Sequence, residues 1–410
     1  MRKTIPIVLL IVLACVAAQA AGWKEVQKDG VLHVMNPAEP ANKPVTVKAE
    51  ELWRIGGFDD DEIFGVITDV VADDDGNFYL LDSQLNEIKV YSGDGEYLRT
   101  IGREGEGPGE FRGAFNMFRV PGGNIGVMQT FPAKVVVLTP DGDPADDFPL
   151  PEVEVEGFRV LLGAQYAGDK LAMTYMVNQP SQEGFSQNNV LALVDKDGSK
   201  ETRLHSQKSD FKVADAVFSE RDWDSFRNRW TAAPDGRAFS TIEFGRYAIH
   251  VWNPDGTVNR VIEREYPDHV RSNEDHERLL GIYKGFTRQI PVPNVKYDLE
   301  KTWNPVTQLA ARDDGSLWVL TSRGSQGVPD GVMGVYDVFD KEGHFVRQIT
   351  LKGEGDPTVD GYFFARDRLF VVTDWLNSLM ALQGGGGQTE EEEDLEEEDV
   401  MMEIICYEVK

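Results

Sequence analysis

The sequence predicts an all-β fold: a six-bladed β-propeller closed by an N-terminal strand joining the C-terminal blade, with a short helical insertion between blades four and five. Three observations carry the prediction. Glycine turns recur in pairs along the 410 residues and divide them into five complete units and one split one, the signature of stacked supersecondary repeats. Between the turns lie short β-branched and aromatic runs bounded by Gly, Pro and Asp, the pattern of strands and hairpins. The last unit runs out of chain before its fourth strand, and a matching strand stands near the N-terminus.

Taken in order, Met1 to Ala20 has a basic start at Arg2 and Lys3, an apolar run from Ile5 to Ala18 and the small-x-small end Ala18-Gln19-Ala20. This is the pattern of a secretory signal, so the mature protein is expected to begin near Ala21 and to be secreted or periplasmic. Val12-Leu13-Ala14-Cys15 loosely resembles a lipoprotein cleavage box, but the bulky Leu13 argues against lipid anchoring through Cys15. Cys406 is then the single mature cysteine, leaving no intramolecular disulfide. No later apolar run reaches the roughly 18 to 20 residues needed to cross a bilayer. Residues 21–44 form an N-terminal extension, and residues 45–410 the propeller.

Blade one is the clearest, with strands at Gly65 to Ala72, Asn77 to Asp82, Glu87 to Tyr91 and Tyr97 to Gly102. Blade two spans Phe115 to Leu150, blade three Phe158 to His205, blade four Arg227 to Tyr266 and blade five Val306 to Leu351. Blade six has strands at Gly361 to Ala365, Arg368 to Thr373 and Glu403 to Val409. The stretch Val45 to Gly56 ends in Leu52-Trp53-Arg54-Ile55-Gly56, which looks like the outer strand of blade one, Leu98-Arg99-Thr100-Ile101-Gly102. It is expected to supply the missing strand and close the ring.

Asp74-Asp75-Gly76-Asn77-Phe78-Tyr79, Ile88-Lys89-Val90-Tyr91 and Ile101-Gly102-Arg103-Glu104-Gly105-Glu106-Gly107-Pro108-Gly109-Glu110-Phe111 together resemble NHL-repeat propellers. The stretch looks like the six-bladed propellers of secreted bacterial NHL-like proteins in particular. It is strong in blade one, moderate in blades two, four and five, and weak in blades three and six. Proteins of this fold include noncatalytic interaction modules, lactonases and lyases, so the resemblance implies an architecture and leaves the function to the site.

The extra sequence falls on one face. Paired turns are 19 or 20 residues apart in blades one, two and four but 30 and 28 apart in blades three and five, which places additional residues between strands two and three. The long segments Asn178 to Asn189, Ser322 to Val332 and Gln383 to Met402 therefore share the face opposite the short turns, as does the insertion at 267–303. Insertions confined to one face of a repeat protein often build its binding surface. Within the insertion, Ser272-x-x-Asp275 resembles a capping box, and Leu279, Ile282, Tyr283, Phe286 and Ile290 recur at helical steps until Pro291 and Pro293. Two readings stand for this helix: a cover for the ring edge, or a partner-docking ridge with Tyr283, Phe286, Tyr297 and Trp303 as anchors.

Counting seven residues back from the first turn glycine gives Asp69, Asn116, Arg229 and Gln308 in blades one, two, four and five. All four are polar and open an inner strand, which makes them candidate binding residues at the mouth of the central channel. Tyr362 occupies a nearby position in blade six. None of the six histidines falls at such a position, which argues against a histidine-built zinc site. Calcium is the metal this column would suit, through the oxygens of Asp69, Asn116 and Gln308, although Arg229 would oppose it. Gly105-x-Gly-x-Gly109 joins two strands rather than opening a helix, so it is not a nucleotide loop.

The formal charge is −29. Glu390 to Asp399 supplies nine of the negative charges in an acidic low-complexity loop at 384–400. Such a surface repels phosphate backbones, so nucleic acid is not an expected partner. The sequence thus points to a secreted or periplasmic, noncatalytic scaffold presenting its loop-rich face to a protein, peptide or glycan, with no obligate cofactor. The alternative is a calcium-dependent lactonase or hydrolase with its site at the channel mouth. A purely structural envelope component is a third reading.

Overall fold

The computed structural model describes residues 22–57, 62–152, 156–224, 228–287, 292, 294–382 and 401–409. The signal-like segment at 1–20, Cys15 and the acidic loop lie outside them. The chain is an all-β six-bladed propeller, with three short α-helices among the described residues.

Six apolar clusters lie between neighbouring blades, so each blade is buried on both faces by its neighbours. Tyr79, Leu81, Ile88 and Val90 of blade one pack on Phe111, Met117, Val127 and Leu138 of blade two. The last cluster joins Phe370, Val372, Ile404 and Cys406 of blade six to Ile67, Val70, Phe78 and Leu80 of blade one. The second strands of blades one, two and five, Phe78–Asp82, Ile125–Gln129 and Leu317–Thr321, are therefore buried along their whole length and read as nearly continuous apolar runs, as strands buried on both faces do.

Blade one forms an antiparallel sheet of Ile67–Ala72, Phe78–Asp82, Glu87–Tyr91 and Tyr97–Ile101. The link to blade two is tight: Gly102 has φ +72°, and a β-carbon there would lie 2.6 Å from the Phe111 ring. Phe111 itself is fully buried, and its N–H donates to the Arg103 carbonyl at 3.1 Å. This glycine and the aromatic beneath it are a packing device, as its place between two strands predicts.

The N-terminal segment does more than close blade six. Lys24–Lys28 and Val31–Asn36 form a hairpin that joins blade four, where Val31–Asn36 runs parallel to Val258–Arg264. The Val45 to Gly56 stretch read as one strand is two. Val45–Lys48 adds a parallel fifth strand to blade five, and Glu50–Gly56 pairs with Glu403–Glu408 in blade six. One strap thus stitches three successive blades along the outside of the ring.

The extra residues of blade three also differ from expectation. They form no loop; they lengthen the strands, with Lys170–Pro180 paired to Gly184–Asp195 throughout. Blade three therefore stands above its neighbours on the loop-rich face. In the insertion, the first helix, α1 (Asn273–Thr287), begins at the predicted capping box: the Asp275 N–H donates to Ser272 Oγ at 3.0 Å, and the Ser272 N–H to Asp275 Oδ2 at 3.2 Å. Two further short helices, α2 (Ser322–Ser325) and α3 (Trp375–Leu382), follow the second strands of blades five and six.

Candidate functional site: the channel mouth

Each inner strand faces the channel and must satisfy its polar groups there. In blades one, two, three and five the pairing of the first two strands is interrupted by a bulge beside Thr68, Phe115, Leu162 and Thr307. A bulge turns the next side chain to a new direction, and in three of these blades that residue is Asp69, Asn116 or Gln308.

These side chains link adjacent blades. Asp69 Oδ2 accepts from Asn116 Nδ2 at 2.6 Å and from the Met117 N–H at 2.9 Å. Asn116 Oδ1 in turn accepts from the Ala164 N–H of blade three at 2.7 Å. Gln165 Oε1 continues the series by accepting from the Ala232 N–H of blade four at 2.9 Å. Thr231 Oγ1 accepts from the Ala311 N–H of blade five at 3.4 Å, and Gln308 Nε2 donates to the Tyr362 carbonyl of blade six at 3.2 Å. The polar column is a chain of side-chain-to-backbone clasps running from blade one to blade six.

Two cavities meet at this column, sharing Asp69, Gln165, Gln308 and Tyr362. The one on the loop-rich face has a volume of about 320 Å³. Phe115, Trp230, Tyr362, Phe363 and Trp375 line it, together with Asn228, Asp69 and Asp360. The cavity toward the short turns, about 310 Å³, includes Arg312, Asp313 and Arg366. Cationic side chains therefore stand at one end of the channel, and among the described residues none lines the other. Burial pushes the Asp69 carboxyl up to about 7, against the hydrogen bonds that favour its ionised form. Burial raises Asp360 as well, although its oxygens accept from the Asp356 and Asp374 N–H groups at 2.7 and 2.9 Å.

Arg229 does not belong with the others. It lines neither cavity, and its buried guanidinium pairs with Asp224 and donates to Thr241 Oγ1 at 2.9 Å. The first two strands of blade four pair in register over Trp230–Ala232. In blade four Asn228 and Trp230 line the cavity instead.

The proposed anchors of the insertion are also placed differently. Tyr283 packs on Phe218 with ring centroids 4.8 Å apart, and Tyr297 lies 6.1 Å from the same ring with its hydroxyl bonded to Thr287. Trp303 is covered by the Arg271 guanidinium at 4.4 Å and lines a separate cavity of about 220 Å³ against blade four. These three build the insertion's own small core rather than a free ridge; the Phe286 side chain lies outside what is described. The tie beneath them is a buried pair: Arg271 donates to both oxygens of Glu220, at 2.7 and 2.6 Å.

Among the channel residues that escaped the sequence reading are Gln165, Trp230, Asp360 and Trp375. Gln165 lies only three residues before its turn glycine, so no common offset finds it. Trp375 had a local signal, since Trp375, Leu376, Leu379 and Leu382 form an apolar helical stripe just before Gly384. Among the described residues, no group of three or more His, Cys, Asp or Glu side chains is placed to hold a metal ion.

Comparisons with known proteins agree with the fold. Residues 59–221 match the DUF5128 family model, described as a 6-bladed beta-propeller. No curated protein matches the chain. A solved structure of a DUF4221-family member from Bacteroides vulgatus is 12% identical, covering 88% of this chain and 98% of that one, with a TM-score of 0.50. A Bacteroides fragilis protein described as exported is 12% identical over 90% of this chain and 100% of that one, at 0.46. The calcium-binding protein regucalcin from Agrobacterium tumefaciens is 10% identical over 89% and 97%, at 0.41. At 12% identity, the likeness to the DUF4221-family structure is one of fold.

Proposed function

We propose that this protein is a noncatalytic binding protein that presents its loop-rich face to a ligand and seats part of it in the mouth of the central channel. One observation carries the reading: the column's polar groups are engaged in holding blades together, while an aromatic-lined cavity stays open above them. Apolar walls with a few convergent polar groups are the usual make-up of a ligand site. The raised wall of blade three and the insertion border this face. The signal-like segment at residues 1–20 supports placing the protein outside the cytoplasm, and the Gly102 to Phe111 stretch supports an NHL-like ancestry.

The calcium-hydrolase reading has less support. Asn116 spends its amide oxygen on Ala164 and its amide nitrogen on Asp69. A calcium ion needs about six to eight oxygens, and the column offers few that are uncommitted. Asp69, raised to about 7, is the one feature that would suit proton transfer.

Asn228 is exposed and lines the cavity, so Asn228→Trp fills the mouth while leaving the inter-blade clasps intact. A small-molecule panel screened by ligand-observed NMR is expected to give binders that are lost in this variant and recovered unchanged after incubation. Binders indifferent to the plug, or conversion of a bound compound, would refute the reading.

A further inference from the structure

We infer that the ligand seated at the channel mouth carries an organic ammonium group, held between aromatic rings and the carboxylate of Asp69. The inference rests on the binding reading above and adds the chemistry of the ligand.

The lining of the cavity is lopsided. Five aromatic side chains, Phe115, Trp230, Tyr362, Phe363 and Trp375, surround it, and two carboxylates, Asp69 and Asp360, enter it with no lysine, arginine or histidine among the described residues of the wall. Aromatic faces attract cations, most strongly where water is excluded. A buried carboxylate without a countercharge is costly, and a bound cation removes that cost. Both carboxyls are raised by burial, as expected of acids that lack a cationic neighbour. The arginines of the channel, Arg312 and Arg366, stand at the far cavity. Among the described residues of the mouth an anionic ligand would meet only like charge, and the formal charge of −29 favours the approach of cations from a distance.

A metal ion fits the same wall less well. Aromatic rings do not ligate hard cations. The oxygens of Asp360 already accept two backbone N–H groups, and those of Asp69 accept from Asn116, Met117 and Val70. An ammonium group instead uses the ring faces and needs only one or two acceptors. Neutral polyols would use the rings but gain nothing from the uncompensated charge.

The test is titration calorimetry of the mature chain with matched probes: choline against 3,3-dimethyl-1-butanol, and 1,4-diaminobutane against 1,4-butanediol. We expect at least one cation to bind at least tenfold more tightly than its uncharged isostere. Asp69→Asn should reduce that preference about tenfold or more, the size of a lost charged contact. Trp375→Leu should weaken the same cation without changing the fold of the ring. Asn228→Trp should abolish binding. Isosteres that bind as well as the cations, and are lost in Asn228→Trp, would overturn the ammonium inference while leaving the mouth as a ligand site. Cation binding that survives Asn228→Trp would overturn both. Saturable binding of calcium or magnesium to Asp69 with no amine binding, or no cation binding at all, would overturn the inference.

Discussion

Removing the Arg271 guanidinium should release the insertion from the ring. Arg271 and Glu220 leave only 3% and 7% of their side chains exposed. Arg271 makes two bonds to the Glu220 carboxylate and a third, at 2.7 Å, to the Glu300 carbonyl. Glu220 also accepts the Glu300 N–H at 2.9 Å. In Arg271→Met the carboxylate stays buried with that one neutral donor, and breaking a buried pair from one side costs about 3–5 kcal/mol. In Arg271→Met/Glu220→Leu no charge is left to desolvate. What is lost then is the pairing of the Glu300 carbonyl and N–H, at about 1 kcal/mol each, so the double variant should lie only about 2 kcal/mol below the native protein. Urea unfolding measures both values, and hydrogen exchange across 273–287 shows whether the loss is local to α1. A single variant within about 1 kcal/mol of the native protein, or a double variant no better than the single, would refute the account.

Three further outcomes follow from the structure. Asp69 titrates near 7 when folded and near 4 when unfolded, so its contribution is fully present below about pH 4 and fades as pH rises toward 7; Asp69→Asn should gain on the native protein by up to roughly 4 kcal/mol between pH 4 and 8, and a flat difference across paired denaturation curves would refute this. Gly102→Ala forces a left-handed backbone on an L-residue and drives a β-carbon into Phe111, so thermal unfolding should show a loss of about 2 kcal/mol or more. Cys406 is fully buried and its thiol is pushed up to about 12, so a disulfide exchange reagent should label it only as the protein unfolds; stoichiometric labelling under native conditions would count against its place between blades six and one.

The candidate site was half legible. Asp69, Asn116 and Gln308 were found because each combines a polar residue with an apolar inner strand at a constant distance from a turn. Arg229 satisfied the same count and points elsewhere, because Asp224 and Thr241 claim its guanidinium. That pairing joins side chains from separate segments, which the sequence of the strand alone does not encode. Tyr283, Tyr297 and Trp303 read as an unclaimed apolar ridge because their partners, Phe218 and Arg271, are distant in sequence or charged.

The sequence by itself determined the propeller, its blade count and the face that carries the long segments. Those are set by turns, strand lengths and alternation, all of which act over a few residues. The tertiary structure alone decided the rest: which blade each N-terminal strand joins, which polar side chains serve as clasps, and which aromatic rings converge on the mouth. Those depend on contacts between segments far apart in the chain, where the preference of any one residue is outweighed by the burial and hydrogen bonding of the ring as a whole.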